Sequence, residues 1–457
     1  MTLDWATYLG GPDFEEAREP IALAGGRVLF SARVVSTNLP TTAGAIQRQY
    51  GGGSSDTYLG ILSADGRTLE AATYFGGSGF ERPAYGMEIA NDGDIVFTSG
   101  TNSVNLPTTP GAYLTQNTSP ADAGFVCRVT ASLTSIVWCT YISGWPRGGL
   151  ALTPTDEVIV VGRVPTGSNF TATAGAYQTA QRGPDDAFVT KLSANGASLI
   201  FQTRIGGLNS DIGEVAMSAN VVGNDVLVSG ISQSPDFPVT ANAFQKTSSG
   251  PRDVFVVRLS GNGSQLSYST LLGGSDQDVT SHRDALMPDG SIIVVGRADS
   301  HDVQGATGSL RGTSDFLVAR FDPAGGNFDW IRYLGGTGTD RGIGRAIDAD
   351  GRIIVVGETD SRDFPVSTNA VQATYGGGAS DGTIVILDGN GEILYSSYLG
   401  GSGDDWIRGV ATGPNGTIFV VGSTTSDDLP VSAGALQTTR GGAEDAFIAR
   451  LTLSSGG

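Results

Sequence analysis

Apolar residues in this chain come in short bursts that stop at glycine. In residues 341–401, small apolar residues alternate over 341–348, Asp350-Gly351 interrupts them, and a β-branched run fills 353–357. Asp-Gly suits the positive φ angles of a tight hairpin, and β-branched runs favour strands. A polar connection follows, carrying Asp363-Phe364-Pro365 and Asn369-Ala370-Val371-Gln372. Then come a third run over 381–387, an Asn390-Gly391 turn, and a fourth run over 393–399 that ends at Gly400-Gly401. The pattern predicts four short strands, two tight hairpins and one long loop between the second and third strands.

The rest of the chain repeats this unit. Second strands are expected at 28–31, 95–99, 158–161, 226–229, 292–295 and 418–421. The closing phrase Tyr398-Leu399-Gly400-Gly401 stands also at Tyr8-Leu9-Gly10-Gly11 and Tyr333-Leu334-Gly335-Gly336. Looser copies are Tyr74-Phe75-Gly76-Gly77, Tyr141-Ile142-Ser143-Gly144, Arg204-Ile205-Gly206-Gly207 and Leu271-Leu272-Gly273-Gly274. Seven copies at a period of about 65 residues decide the architecture. Seven four-stranded antiparallel units without helical periodicity predict an all-β fold, a seven-bladed β-propeller.

The chain opens on a fourth strand, 3–9, and finishes on a third strand, 445–451. The N-terminal strand is therefore expected to complete the last blade, which closes the ring and removes two sheet edges. The expected organisation is one propeller over 1–453. Its blades are 12–76, 77–143, 144–206, 207–273, 274–335, 336–400, and 401–453 joined by 1–11. Residues 454–457 read as a linker or tail.

Composition narrows the partners. Of 457 residues, 27 are basic and 46 acidic, a formal charge of −19. Such a surface repels phosphate backbones and argues against nucleic acid. No apolar run is long enough to span a membrane as a helix, and the first five residues do not form a signal peptide. The two cysteines, Cys127 and Cys139, are expected on neighbouring strands, roughly diagonal to each other. They read either as a disulfide or as two buried thiols.

Two acidic sets recur. An aspartate opens each third strand: Asp56, Asp122, Asp186, Asp253, Asp315, Asp381 and Asp445. A residue needed in every repeat reads as structural, its carboxylate taking backbone N–H bonds from the preceding loop. A second set, Glu15, Glu81, Asp211, Asp278, Asp340 and Asp405, follows the double glycine by four residues. That connection lies on the long-loop face. Its carboxylates would form a negative rim that attracts cations or basic segments, with calcium as the ion that oxygen-rich sites take. The alternative is local, each carboxylate capping its own turn or pairing with an arginine such as Arg18, Arg82 or Arg341.

Two blades depart from the repeat. Blade three has Trp145-Pro146-Arg147-Gly148 in place of the second acid, and Trp145 and Arg147 are residue types favoured as contact anchors. Blade five replaces the Asn/Asp-apolar-Pro loop motif by Asp302-Val303-Gln304 and holds the only histidines, His282 and His301. With Asp278 they form a candidate zinc set. The H-E-x-x-H and P-loop signatures are absent from the sequence.

The unit Gly416-Thr417-Ile418-Phe419-Val420-Val421-Gly422, then Asp428-Leu429-Pro430 with Ala435-Leu436-Gln437, then Gly441-Gly442-Ala443-Glu444-Asp445-Ala446-Phe447, then Tyr-Leu-Gly-Gly, closely resembles the bacterial SBBP β-propeller repeat. The resemblance covers essentially the whole chain. It implies a propeller on a secreted or surface protein of a bacterium, with no catalytic residues and no cofactor. The combined expectation is a non-catalytic binding or scaffold module that engages a protein or glycan through its long-loop face. A structural assembly subunit, self-associating or packed on attached domains, and a carbohydrate-active enzyme using rim carboxylates are the two alternatives.

Overall fold

The computed structural model describes residues 1–119, 123–208, 213–322, 324 and 326–453. The chain forms seven sheets with antiparallel four-stranded cores. In six the strands follow in chain order, and in the seventh the N-terminal strand joins the last three. In blade five the short Ala306–Thr307 adds a parallel pairing at the edge. Blade one is typical, running through Glu15–Leu23, Arg27–Val34, Asp56–Leu62 and Leu69–Phe75. Among the described residues the only helical pieces are two single 3₁₀ turns, Ala24–Gly26 and Pro414–Gly416. The inner strand of each blade packs against the next blade, and Glu15–Leu23 touches both Asp405–Thr412 and Gly86–Ile89, so the ring is closed.

Closure follows the expected scheme. Thr2–Leu9 pairs antiparallel with Asp445–Thr452, with Tyr8 opposite Phe447 and Leu9 opposite Ala446. Trp5, Tyr8 and Leu9 are buried. Alternation along the strands sends one set of side chains into each gap between blades, which is where the apolar clusters lie. Phe75, Phe97 and Phe125, for example, meet between blades one and two. The hairpin turns use their glycines as expected, Gly66 at φ 71° and Gly391 at φ 78°.

Two expectations are corrected. Cys127 and Cys139 are directly opposite, not diagonal, and form a disulfide across the two outer strands of blade two. The blade-five loop keeps the repeat's contacts despite its different sequence. The Val303 N–H bonds the Tyr333 hydroxyl as Leu39 bonds Tyr74, and Val303 is buried as Leu39 is. The true irregularity of blade five is its inner strand, split into Asp278–Thr280 and Ala285–Leu286, both paired to Ile292–Ala298. Residues 281–284 between them enter the axis.

Candidate functional site

The Tyr-Leu-Gly-Gly phrase joins two blades to one long loop. The Tyr398 hydroxyl donates to the Ser361 carbonyl (2.8 Å) and accepts the Phe364 N–H (3.1 Å), pinning the loop at its Asp-Phe-Pro turn. Tyr74, Tyr141 and Tyr333 do the same in their blades. The two glycines fit where no side chain could. A Cβ on Gly335 would lie 2.4 Å from Asp315 Oδ1 and 2.6 Å from Asp340 Oδ2. One on Gly336 would lie 2.5 Å from Asp363 Oδ1 and 2.6 Å from Ser361 Cβ. The first glycine therefore sits between the two acidic sets, and the second abuts the next blade's loop, except Gly144, which faces Phe188.

Both acidic sets are buried. The described third-strand aspartates, Asp56, Asp186, Asp253, Asp315, Asp381 and Asp445, accept loop N–H bonds. Asp122 lies outside the described residues. The loop glutamine completes the network. Gln437 Nε2 donates to Asp445 (3.0 Å), while its Oε1 accepts the Gly10 N–H (2.9 Å). Gln47, Gln178 and Gln372 repeat this.

The expected negative rim is a correction. Glu15, Glu81, Asp278, Asp340 and Asp405 are not exposed at a mouth but fully buried. Each accepts the N–H of the second glycine, and most also take a Ser or Thr hydroxyl from the end of the next strand. Asp211 lies outside the described residues. In its blade the role falls to Glu214, which accepts the Gly207 N–H (3.2 Å) and the Ser232 hydroxyl (3.0 Å). The arginine alternative is also corrected, since Arg18 pairs with Glu16 and Arg341 with Glu358. Burial raises Glu15, Glu81, Asp186, Asp253, Asp315 and Asp405, and takes Asp56 and Glu214 to about 7 and Asp278, Asp340 and Asp381 to about 6. The facing acid adds to the rise, Glu81 for Asp56 and Asp405 for Asp381.

The proposed zinc set does not assemble. His301 is exposed on its loop, whereas His282 is half-buried at the axis, its ring stacked on Tyr85 at 4.7 Å. No group of three or more His, Cys, Asp or Glu side chains suited to a metal occurs among the described residues. Burial, with Arg18 and Arg147 nearby, holds His282 neutral.

The axis is crossed by ion pairs. Arg283 of blade five reaches Glu19 of blade one (3.2 Å), Glu88 and the Met87 carbonyl (3.1 Å) of blade two. Arg345 meets Asp284 at 2.6 Å, both side chains buried. Arg408 bridges Glu16 (3.2 Å) and Glu358 (2.8 Å). Glu19, Glu88, Arg283, Asp284, Arg345 and Arg408 line a cavity of about 420 Å³.

A second cleft, about 270 Å³, opens between blades two, three and four and is lined by Arg82, Trp145, Arg147, Arg163, Met217 and Arg252, among others. It lies at the long-loop end of the blades, because Trp145 pairs with Arg163 at the close of its second strand. Trp145 holds two guanidinium groups over its ring, Arg82 at 4.7 Å and Arg163 at 5.1 Å. Arg163 also pairs with Asp185 at 2.8 Å. Arg82, Arg147 and Arg252 have no carboxylate partner among the described residues. Burial, then Arg82, Arg163 and Arg18, hold the Arg147 guanidinium below its usual value. The structure thus brings together Trp145 and Arg147, which the sequence singled out. It adds Arg82, Arg163 and Arg252, which no repeat pattern marks as a group.

Comparison with known proteins agrees with this geometry at the level of the repeat. Residues 394–430 match the family model of the SBBP β-propeller repeat. The chain carries that repeat. The matched SBBP segment contains Tyr398, both glycines, Asp405 and Asp428, which are the residues of one blade junction. Regulatory protein FlaEY of Caulobacter vibrioides is 26% identical over 172 residues, which is 38% of this chain and 17% of that protein. A Dyadobacter fermentans protein of unknown function aligns over 99% of both chains with 12% identity and a TM-score of 0.46. A polysaccharide lyase of family PL25, an ulvan lyase, aligns over 92% of both chains with 13% identity and a TM-score of 0.45. These two structural likenesses are too distant to bear on what the chain does.

Proposed function

We propose that this chain is a non-catalytic binding propeller, working outside the bacterial cytoplasm, that engages its partner through the long-loop face at blades two to four. The observation that carries this reading is the arginine cleft around Trp145. In a chain of charge −19, three arginines without a carboxylate partner among the described residues converge on one opening at the loop face. Aromatic and arginine side chains are the usual anchors of recognition. The buried disulfide supports an oxidising location. The junction carboxylates give no support to a glycosidase-like role, because they are fully buried inside the blades and bonded to the glycine N–H groups there.

The test is a glycan array probed with the intact chain and with the Arg147→Gln variant. Binding by the parent chain that Arg147→Gln loses, at an unchanged melting temperature, is the expected result. Binding unaffected by the change moves the contact elsewhere on the ring. Absence of binding, together with self-association in sedimentation, would favour an assembly subunit.

A further inference from the structure

We propose that the cleft between blades two and four is a receptor for a small oxyanion, the carboxylate or sulfate of an acidic sugar or a free inorganic anion. The inference rests on the binding reading above and names its ligand class.

The guanidinium groups set the chemistry. Arg82, Arg147, Arg163 and Arg252 line one cleft, and only Arg163 is paired with a carboxylate among the described residues. Elsewhere in the molecule arginines beside the axis are matched, as Arg283, Arg345 and Arg408 show. Several like charges gathered in a partly desolvated site repel one another, and a bound anion removes that cost. Arginine is also the residue suited to flat oxygen pairs, since its planar fork donates two parallel hydrogen bonds.

Trp145 makes the receptor rigid. Its ring packs over Gly100, where a Cβ would lie 2.2 Å from Nε1. With the ring fixed there, Arg82 and Arg163 rest against it, and Arg163 is held further by Asp185. An aromatic face accepts no ordinary hydrogen bond, so Arg82 on the ring keeps donor capacity for a ligand, while Arg163 spends part of its own on Asp185. The volume, about 270 Å³, suits a single ring with its acidic group or a free ion. It is too small to seat a segment of folded protein, which favours a sugar acid over an acidic peptide.

Calorimetric titration of the intact chain with sulfate, inorganic phosphate, a glucuronate oligosaccharide and a neutral oligosaccharide, at constant ionic strength, tests the proposal. Saturable binding of at least one anionic probe is expected, weakened about tenfold or more by Arg147→Gln and by Arg252→Gln, as lost charge-assisted bonds require. Arg147→Lys, which keeps charge but loses the fork, should fall between. Arg67→Gln, at an exposed turn on the opposite face, should bind as the parent does. An oligosaccharide that binds more tightly than either free ion identifies the sugar as the source, and the reverse order identifies the ion. If Arg147→Gln does not fold, Arg252→Gln carries the comparison. No binding of any anionic probe, or binding that neither variant weakens, overturns the oxyanion receptor. A neutral glycan captured on the array and lost in Arg147→Gln would overturn it while leaving the binding face standing.

Discussion

At the scale of single residues, the double glycine and the tyrosine before it explain why the repeat phrase is so regular. The first glycine is enclosed by two carboxylates, so its hydrogen is the only side chain that fits. Gly335→Ala would push a methyl group to 2.4 Å from Asp315 Oδ1 and should destabilise the chain by about 1–3 kcal/mol, the usual range for overpacking. Thermal melting checks this, and an unchanged melting temperature would refute the enclosed-glycine account. Blade three fits the same logic. It lacks the second acid, and there the sequence has Ser143 instead of the first glycine. Tyr398→Phe keeps the ring but removes a hydroxyl that serves both Ser361 and Phe364. The Phe364 N–H then loses its partner, and a loss of about 1–3 kcal/mol is expected in denaturant titration. The recurrence of Tyr, Gly and Asp was readable from the sequence. That the two acids face each other across a glycine was not, because they lie on different strands of adjacent blades.

At the scale of elements, the N-terminal strand carries the most weight for its length. It buries Trp5, Tyr8 and Leu9 and covers the outer edge of Asp445–Thr452. A variant lacking residues 1–11 should lose on the order of 5 kcal/mol or more, from three large buried side chains and an unpaired edge. A truncated chain that melts like the full one would sink the closure scheme. The split inner strand of blade five is the other decisive element. It frees residues 281–284 to cross the axis, so that Arg283 ties blade five to blades one and two. The sequence marked blade five as unusual through its histidines. In the structure the departure is one of backbone geometry, with Arg283 at φ 56°, a conformation rare for a residue with a side chain.

At the scale of the whole molecule, the repeated burial of paired acids sets how stability depends on pH. Burial raises Asp56 and Glu214 to about 7 and Asp278, Asp340 and Asp381 to about 6. A carboxyl with a raised folded pKa adds stability that is complete below its unfolded value, about 4. That stability is lost as pH rises through the folded value. The ring should therefore melt at a higher temperature at about pH 5 than at about pH 8, each raised group contributing on the order of 1 kcal/mol or more. A melting temperature that falls steadily on acidification over this window would contradict the raised carboxyls. The same large-scale view separates interior from mouth: the acids lie inside the blades, while arginines without a carboxylate partner among the described residues gather at one opening.

The sequence by itself determined the blades, their strand order, the turns and the closing strand. All of these follow from local alternation, turn glycines and a fixed period, which act along the chain. Only the tertiary structure decided that the expected acidic rim is an interior network, that Glu214 stands in for an acid in blade four, and that Arg82, Arg147, Arg163 and Arg252 share one cleft. Those outcomes depend on the distance between residues of different blades and on how deeply each charge is desolvated. Ring closure fixes both, and no pattern within one repeat records them.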